Sequence, residues 1–173
     1  MSKLRSWLRK REGDALFGYS RLVNRSAHWH FHGWDNLAEA QKSKRPLIWS
    51  LWHQQVWTFI MMGDRFLHAP NFNIIIVGDK RSEIIARLAH DVGARTRPVD
   101  MSGNPMASGR AVLDIIKSMR NGMDTILAPD GPDGPAVEAK LGIAFLAKKA
   151  KAAVLPVGIW AKESFQLNRW DRY

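Results

Sequence analysis

An α/β domain, with a mostly parallel central sheet and helices on both faces, is the fold class this chain predicts. Short runs rich in Ile, Val and Leu alternate with segments of helical periodicity. Each apolar run ends in a polar or Gly- and Pro-rich loop, as a strand feeding a crossover helix does. A length of 173 residues with 46% hydrophobic content suits one sizeable core.

Residues 1 to 25 hold seven bases (Lys3, Arg5, Arg9, Lys10, Arg11, Arg21, Arg25) against two acids (Glu12, Asp14). That difference of five is half the formal net charge of +10. Leu4, Trp7 and Leu8 lie at helical spacing, and Leu16, Tyr19 and Val23 repeat the pattern. Such a helix either lies in a bilayer interface with its arginines on headgroups or packs its apolar stripe on the domain. Residues 1–31 therefore read as a basic amphipathic segment preceding an α/β domain over 32–173. His28, His30 and His32 alternate, which puts them on one face of an expected strand, with no carboxylate or cysteine at hand to complete a metal site.

Asp35 to Arg45 predicts a short polar helix, and Leu47 to Trp52 the first buried strand. His53 stands at the carboxyl end of that strand, where a helical pattern through Val56, Phe59 and Ile60 begins. A helix amino terminus disfavours the imidazolium, and a neutral imidazole is what a general base requires.

Ile74 to Val77 reads as a strand, Gly78 to Arg81 as a loop, and Ser82 as the cap of a helix that Gly93 stops. Ala94 to Val99 predicts a short strand, and residues 100–104 a loop. The next helix turns Val112, Leu113, Ile116 and Met119 inward and ends at Asn121-Gly122. Thr125 to Leu127 is a strand, Leu141, Ile143, Phe145 and Leu146 belong to a further helix, and Val154 to Ile159 returns as a strand.

Between the last two of these strands lies Ala128-Pro129-Asp130-Gly131-Pro132-Asp133-Gly134-Pro135. Three prolines and two glycines in eight residues bar both helix and sheet ladder, so this is a loop of prescribed shape. A loop at the carboxyl end of a strand in such a fold is where ligands usually bind.

Composition narrows the chemistry. The chain has no cysteine, which excludes disulfides, thiolate metal sites and cysteine nucleophiles. The positive charge selects anionic partners, and eight tryptophans suit a membrane interface, base stacking or plain core packing. Pro46 to Met62, the longest apolar stretch, is broken by Ser50 and His53-Gln54-Gln55, short of the roughly 20 apolar residues of a membrane span. The amino terminus lacks the apolar core of a secretory signal.

Five motifs in order resemble one family: Trp52-His53, Arg81 to Ala86, Ala128 to Pro132 with a downstream Gly142, Leu155 to Gly158, and Trp170 to Tyr173. Together they are similar to the bacterial lysophospholipid acyltransferase-like proteins of the glycerolipid (1-acylglycerol-3-phosphate) acyltransferase superfamily. The resemblance covers roughly residues 32 to 173. It implies transfer of an acyl group from acyl-coenzyme A or acyl carrier protein to a hydroxyl of a lysophospholipid acceptor. It further implies a cytoplasmic protein, peripheral on the inner face of the membrane, in phospholipid biosynthesis, with no metal or resident cofactor. His53 maps onto the family's general base. Pro129 to Pro132 map onto the loop that helps hold the acceptor's phosphate, which gives Asp130 a catalytic role and Gly131 and Pro132 a binding role.

Three departures from the family pattern stand out. The position five residues after the histidine usually carries an aspartate, and here it is Thr58. Asp79, Glu83 and Asp130 are the acids that could replace it. Asp133 stands where relatives more often carry arginine, so phosphate binding would fall to Lys80, Arg81, Arg97 or Arg110. The chain stops at Tyr173, where similar proteins continue through another strand, which reads as a short or truncated member. These departures keep open a non-catalytic lipid-binding member of the family. A nucleic-acid-binding protein is the alternative from another class, but no nucleic-acid motif accompanies the charge, so the expected partner is an anionic membrane surface.

Overall fold

The structure is a computed structural model that describes residues 3–66, 72–77, 86, 89–90, 93–99, 105–131 and 133–163. Five parallel strands, β1 (Leu47–Ser50), β2 (Phe72–Val77), β3 (Arg95–Val99), β4 (Asp124–Leu127) and β5 (Ala153–Pro156), form one sheet in the order β3-β2-β4-β1-β5. The described helices of the α/β fold are α1 (Lys3–Ser26), α2 (Trp34–Lys42), α3 (His53–Phe66), α4 (Pro105–Arg120) and α5 (Gly142–Ala150).

Strand periodicity builds two cores. Leu47, Trp49 and Leu51 point to one face and Ile48 to the other, as residues two apart on a pleated strand must. Ile74, Ile76 and Ile126 join the first set; Ile75 and Leu127 join the second. The first face is covered by α3 through Phe59, Ile60, Met61 and Met62, with Phe17 of α1 and Leu37 of α2 at its margin. The second is covered by Ile115, Ile116 and Met119 of α4 and Leu146 and Ala150 of α5. Strands buried on both faces read as continuous apolar runs, which is how β1 and β2 look in the sequence.

Asp124 fixes the start of the sheet's centre. Its Oδ1 accepts the backbone N–H of Leu47 at 2.8 Å and its Oδ2 the indole N–H of Trp49 at 3.1 Å, tying β4 to β1 before their ladder begins.

Four expectations need correction. Leu113 is 64% exposed, not inward: Val112, Ile115, Ile116 and Met119 define the buried stripe, and Leu113 lies a hundred degrees round the helix from Val112. The final strand stops at Pro156 because its partner β1 ends at Ser50, leaving only the N–H of Val157 to reach the Ser50 carbonyl at 2.8 Å. The histidine segment is not a strand, although its alternation survives: Trp29 and Phe31 stack at 6.3 Å and pack on the core, while His28, His30 and His32 are exposed. The α1 stripe does not dock through Tyr19 and Val23, which are 65% and 45% exposed.

Polar contacts position α1 instead. Asn24 Nδ2 donates to the Met61 carbonyl at 2.7 Å, Trp57 Nε1 donates to Ser20 Oγ at 2.9 Å, and Arg65 Nη1 donates to the Asn24 carbonyl at 2.7 Å. Three bonds to buried Ser20 and Asn24 set the helix phase, and the apolar Tyr19, Leu22 and Val23 are left facing out.

Candidate active site

The topology selects one edge of the sheet. After β1 the chain crosses the first face through α3; after neighbouring β4 it crosses the second face through α5. Connections that leave adjacent strands for opposite faces open a crevice at the strands' carboxyl ends. His53 and the Pro- and Gly-rich loop both stand there.

Register brings them together. Ser50 of β1 pairs with Leu127 of β4, and three residues beyond each partner come His53 and Asp130. His53 Nδ1 and Asp130 Oδ1 are 2.9 Å apart, and the same Oδ1 accepts the backbone N–H of His53 at 3.1 Å. Oδ2 accepts the N–H of Val137 at 3.1 Å. The carboxylate thus caps the first turn of α3 from another element while holding the imidazole, and its negative charge suits a helix amino terminus. A carboxylate only accepts, so in a neutral ring this contact favours the tautomer with the proton on Nδ1 and the lone pair on Nε2.

Burial separates the two roles. The Asp130 side chain is 2% exposed, whereas that of His53 is 27% exposed. A group arriving from solvent can reach the ring but not the acid behind it.

The loop is shaped to allow this. The N–H of Gly131 bonds to the Ala128 carbonyl at 3.3 Å, and that of Lys140 to the Pro129 carbonyl at 2.9 Å, closing the loop on itself. Gly134 takes a left-handed φ of 72°, and Val137, a β-branched residue, is held at φ 65° with its N–H on Asp130. A Cβ on Gly131 would clash with Cε1 of His53 and come within 3.0 Å of both ring nitrogens, so the backbone itself forms one wall of the imidazole. Gln55 Nε2 donates to the Ile159 carbonyl at 2.8 Å and anchors the first turn of α3 to the segment after β5.

Of the residues expected from sequence, His53, Asp130 and Gly131 come together. Thr58 lies partly buried within α3, and Asp133 is exposed. Arg97 is engaged elsewhere: its Nε donates to Asn73 Oδ1 at 3.0 Å, and Asn73 Nδ2 donates to Ser118 Oγ at 3.1 Å, a network between β2, β3 and α4 that satisfies a fully buried asparagine. Arg110, in the second turn of α4, is exposed and donates to Met106 Sδ at 3.6 Å. Lys80, Arg81, Pro132, Asp79, Glu83 and the Trp170 to Tyr173 motif lie outside the described residues, as does the helix expected from Ser82 except for Ala86, Ala89 and His90, which are helical. Among the described residues, no three His, Cys, Asp or Glu side chains group as a metal site requires. Val137, whose backbone completes the hold on Asp130, and Gln55 were not foreseen; no side-chain pattern marks a backbone donor.

Comparison with known proteins adds one relative. An uncharacterized protein of Rickettsia prowazekii (strain Madrid E) is 24% identical over 158 residues, which is 91% of this chain and 70% of that protein. No protein-family model matches the chain, and no solved structure matches it significantly.

Proposed function

We propose that this protein transfers a fatty acyl group from a thioester, on coenzyme A or acyl carrier protein, to a hydroxyl of a lysophospholipid such as 1-acylglycerol-3-phosphate. The observation that carries the reading is the His53–Asp130 pair: a solvent-reachable imidazole whose Nδ1 is held at 2.9 Å by a buried carboxylate. Nε2 takes the proton of the acceptor hydroxyl as its oxygen attacks the thioester carbonyl. Asp130 holds the ring in the productive tautomer and stabilises the imidazolium that forms. Collapse of the tetrahedral adduct expels the thiolate, which takes the proton back from Nε2, so ester and thiol leave and the enzyme is unchanged.

Asp130 fills the role left open by Thr58, which removes one motive for a non-catalytic reading. A formal net charge of +10 suits both a phosphorylated acceptor and an acidic carrier protein. Among the described residues no helix is long and apolar enough to cross a membrane. Leu22, 67% exposed between Arg21 and Arg25, instead supports a peripheral position on an anionic surface.

The test offers lysophosphatidic acid and other lysolipids with acyl-coenzyme A or acyl carrier protein and reads products by mass spectrometry. A diacyl product is expected, formed about 10²- to 10⁴-fold more slowly by His53→Ala. Absence of product from every pairing, with folded protein, refutes the reading.

A further inference from the structure

Helices α4 and α5 turn a basic and partly apolar surface away from the sheet. Both return the chain from the carboxyl edge of the sheet to its amino edge, so they run parallel to each other. Their last turns meet: Arg120 Nη2 and Nε donate to the Lys149 carbonyl at 2.6 and 3.2 Å.

That contact fixes which flanks border one another. Leu113, Lys117 and Arg120, at i, i+4 and i+7, form one stripe of α4. Leu141, Phe145 and Lys149, at i, i+4 and i+8, form one stripe of α5 and its N-cap. Arg120 and Lys149 close the two stripes, which therefore run side by side. Leu141 is 87% exposed, Leu113 64% and Phe145 50%, although Ile116, Met119, Leu146 and Ala150 already bury the inward sides of both helices.

The charge around these apolar side chains has one sign. The two helices carry five bases, Arg110, Lys117, Arg120, Lys148 and Lys149, all exposed, against a single acid, Asp114. No ion pair joins any of the five to an acid among the described residues. Lys149 Nζ instead lies 5.9 Å from the centre of the Phe145 ring. Exposed apolar anchors within a basic rim suit a protein partner that is acidic, with the rim steering the encounter and the anchors holding it.

Position selects the partner. Leu141 follows Lys140, whose N–H closes the loop at the Pro129 carbonyl at 2.9 Å, so the surface begins beside the loop that holds His53. The exposed Leu22 belongs to α1, which packs on the opposite face of the sheet. A chain held on a bilayer through α1 thus presents α4 and α5 to the water side. Resting on the acyl-transfer reading, we propose that this surface docks an acidic acyl carrier protein, the source of the thioester, with an acidic amphipathic helix of the carrier lying along the two stripes.

The test titrates His53→Ala protein, in which turnover does not intervene, into fluorescently labelled palmitoyl acyl carrier protein and follows anisotropy. Saturable binding that weakens as salt is raised is expected. Lys117→Glu combined with Lys149→Glu should loosen it about tenfold, and Phe145→Ser by a similar factor. Leu141→Ser, at the most exposed of these positions, repeats the measurement if another substitution lowers the melting temperature. In turnover, the same substitutions should raise KM for palmitoyl acyl carrier protein and leave KM for palmitoyl-coenzyme A within about twofold. If no donor gives product but the carrier binds and the substitutions weaken it, the docking surface stands and the acyl-transfer reading falls. The proposal is overturned if the carrier does not bind saturably, or if the substituted proteins, with unchanged melting temperatures, bind it as tightly as before. It is equally overturned if the substitutions release the protein from phosphatidylglycerol vesicles and leave carrier affinity unchanged, which would make this a lipid surface.

Discussion

Gly131 lies against the imidazole of His53 so closely that no side chain fits between them: a Cβ there would clash with Cε1 and approach Nε2 to 2.9 Å. The glycine is required by space, since its φ is not in the left-handed region. Gly131→Ala should push the ring off Asp130, lowering kcat about 10²-fold through the loss of a positioned base. Overpacking of this kind costs about 1–3 kcal/mol. Thermal melts and acyl-transfer rates measured together separate the two effects, and a full-rate alanine variant would show that the ring does not need this wall.

Thr58 stands where the resembling family usually carries aspartate. With Nδ1 already bonded to Asp130 at 2.9 Å, a carboxylate at position 58 has no place to fill on the ring. Thr58→Asp is expected to leave kcat/KM within about twofold, and to lower stability by about 1–3 kcal/mol because the position is partly buried. A large gain in kcat/KM would instead mean that Asp130 is not the orienting acid.

Val137 holds its backbone N–H on Asp130 at a φ of 65°, a conformation that costs a β-branched residue about 1–2 kcal/mol. Asparagine tolerates it better, and at 47% exposure the valine gives up little burial. Val137→Asn should raise the melting temperature by about 2–4 °C. Differential scanning calorimetry reads this directly; a lower melting temperature would mean that the valine's packing outweighs its strain.

The alternation of apolar runs and helical segments located all five strands to within a few residues, and β1 and β2 stood out because strands buried on both faces have no polar alternation to confuse with a surface. It also marked His53 and the 128–135 loop as strand-end features. What it did not contain was their neighbour relation. Chain order suggests β2 beside β1, yet β4 inserts between them, and only the Ser50–Leu127 register makes His53 and Asp130 partners. Asp130 therefore stood level with Asp79 and Glu83 until the ladder singled out its contact.

Helix phase was the other gap. Leu113 and Tyr19 are as apolar as their buried neighbours, and what turned them outward lies on other elements: the sheet face under α4, and Met61, Trp57 and Arg65 under α1. Arg97 was open to the same error. Its charge suggested an anion site, while the buried Asn73 that it satisfies sits on a neighbouring strand.

The decisive measurement is kcat of Asp130→Asn in the acyl-transfer assay, beside its melting temperature. An amide can offer Nδ1 a donor where the carboxylate offered only acceptors, which favours the tautomer with the proton on Nε2 and removes the base. With Asp130 as the orienting acid, kcat falls about 10²- to 10⁴-fold in a protein that still melts cooperatively, with KM nearly unchanged. A folded Asp130→Asn protein turning over within twofold of the unsubstituted rate contradicts the pairing of His53 and Asp130 as the catalytic unit.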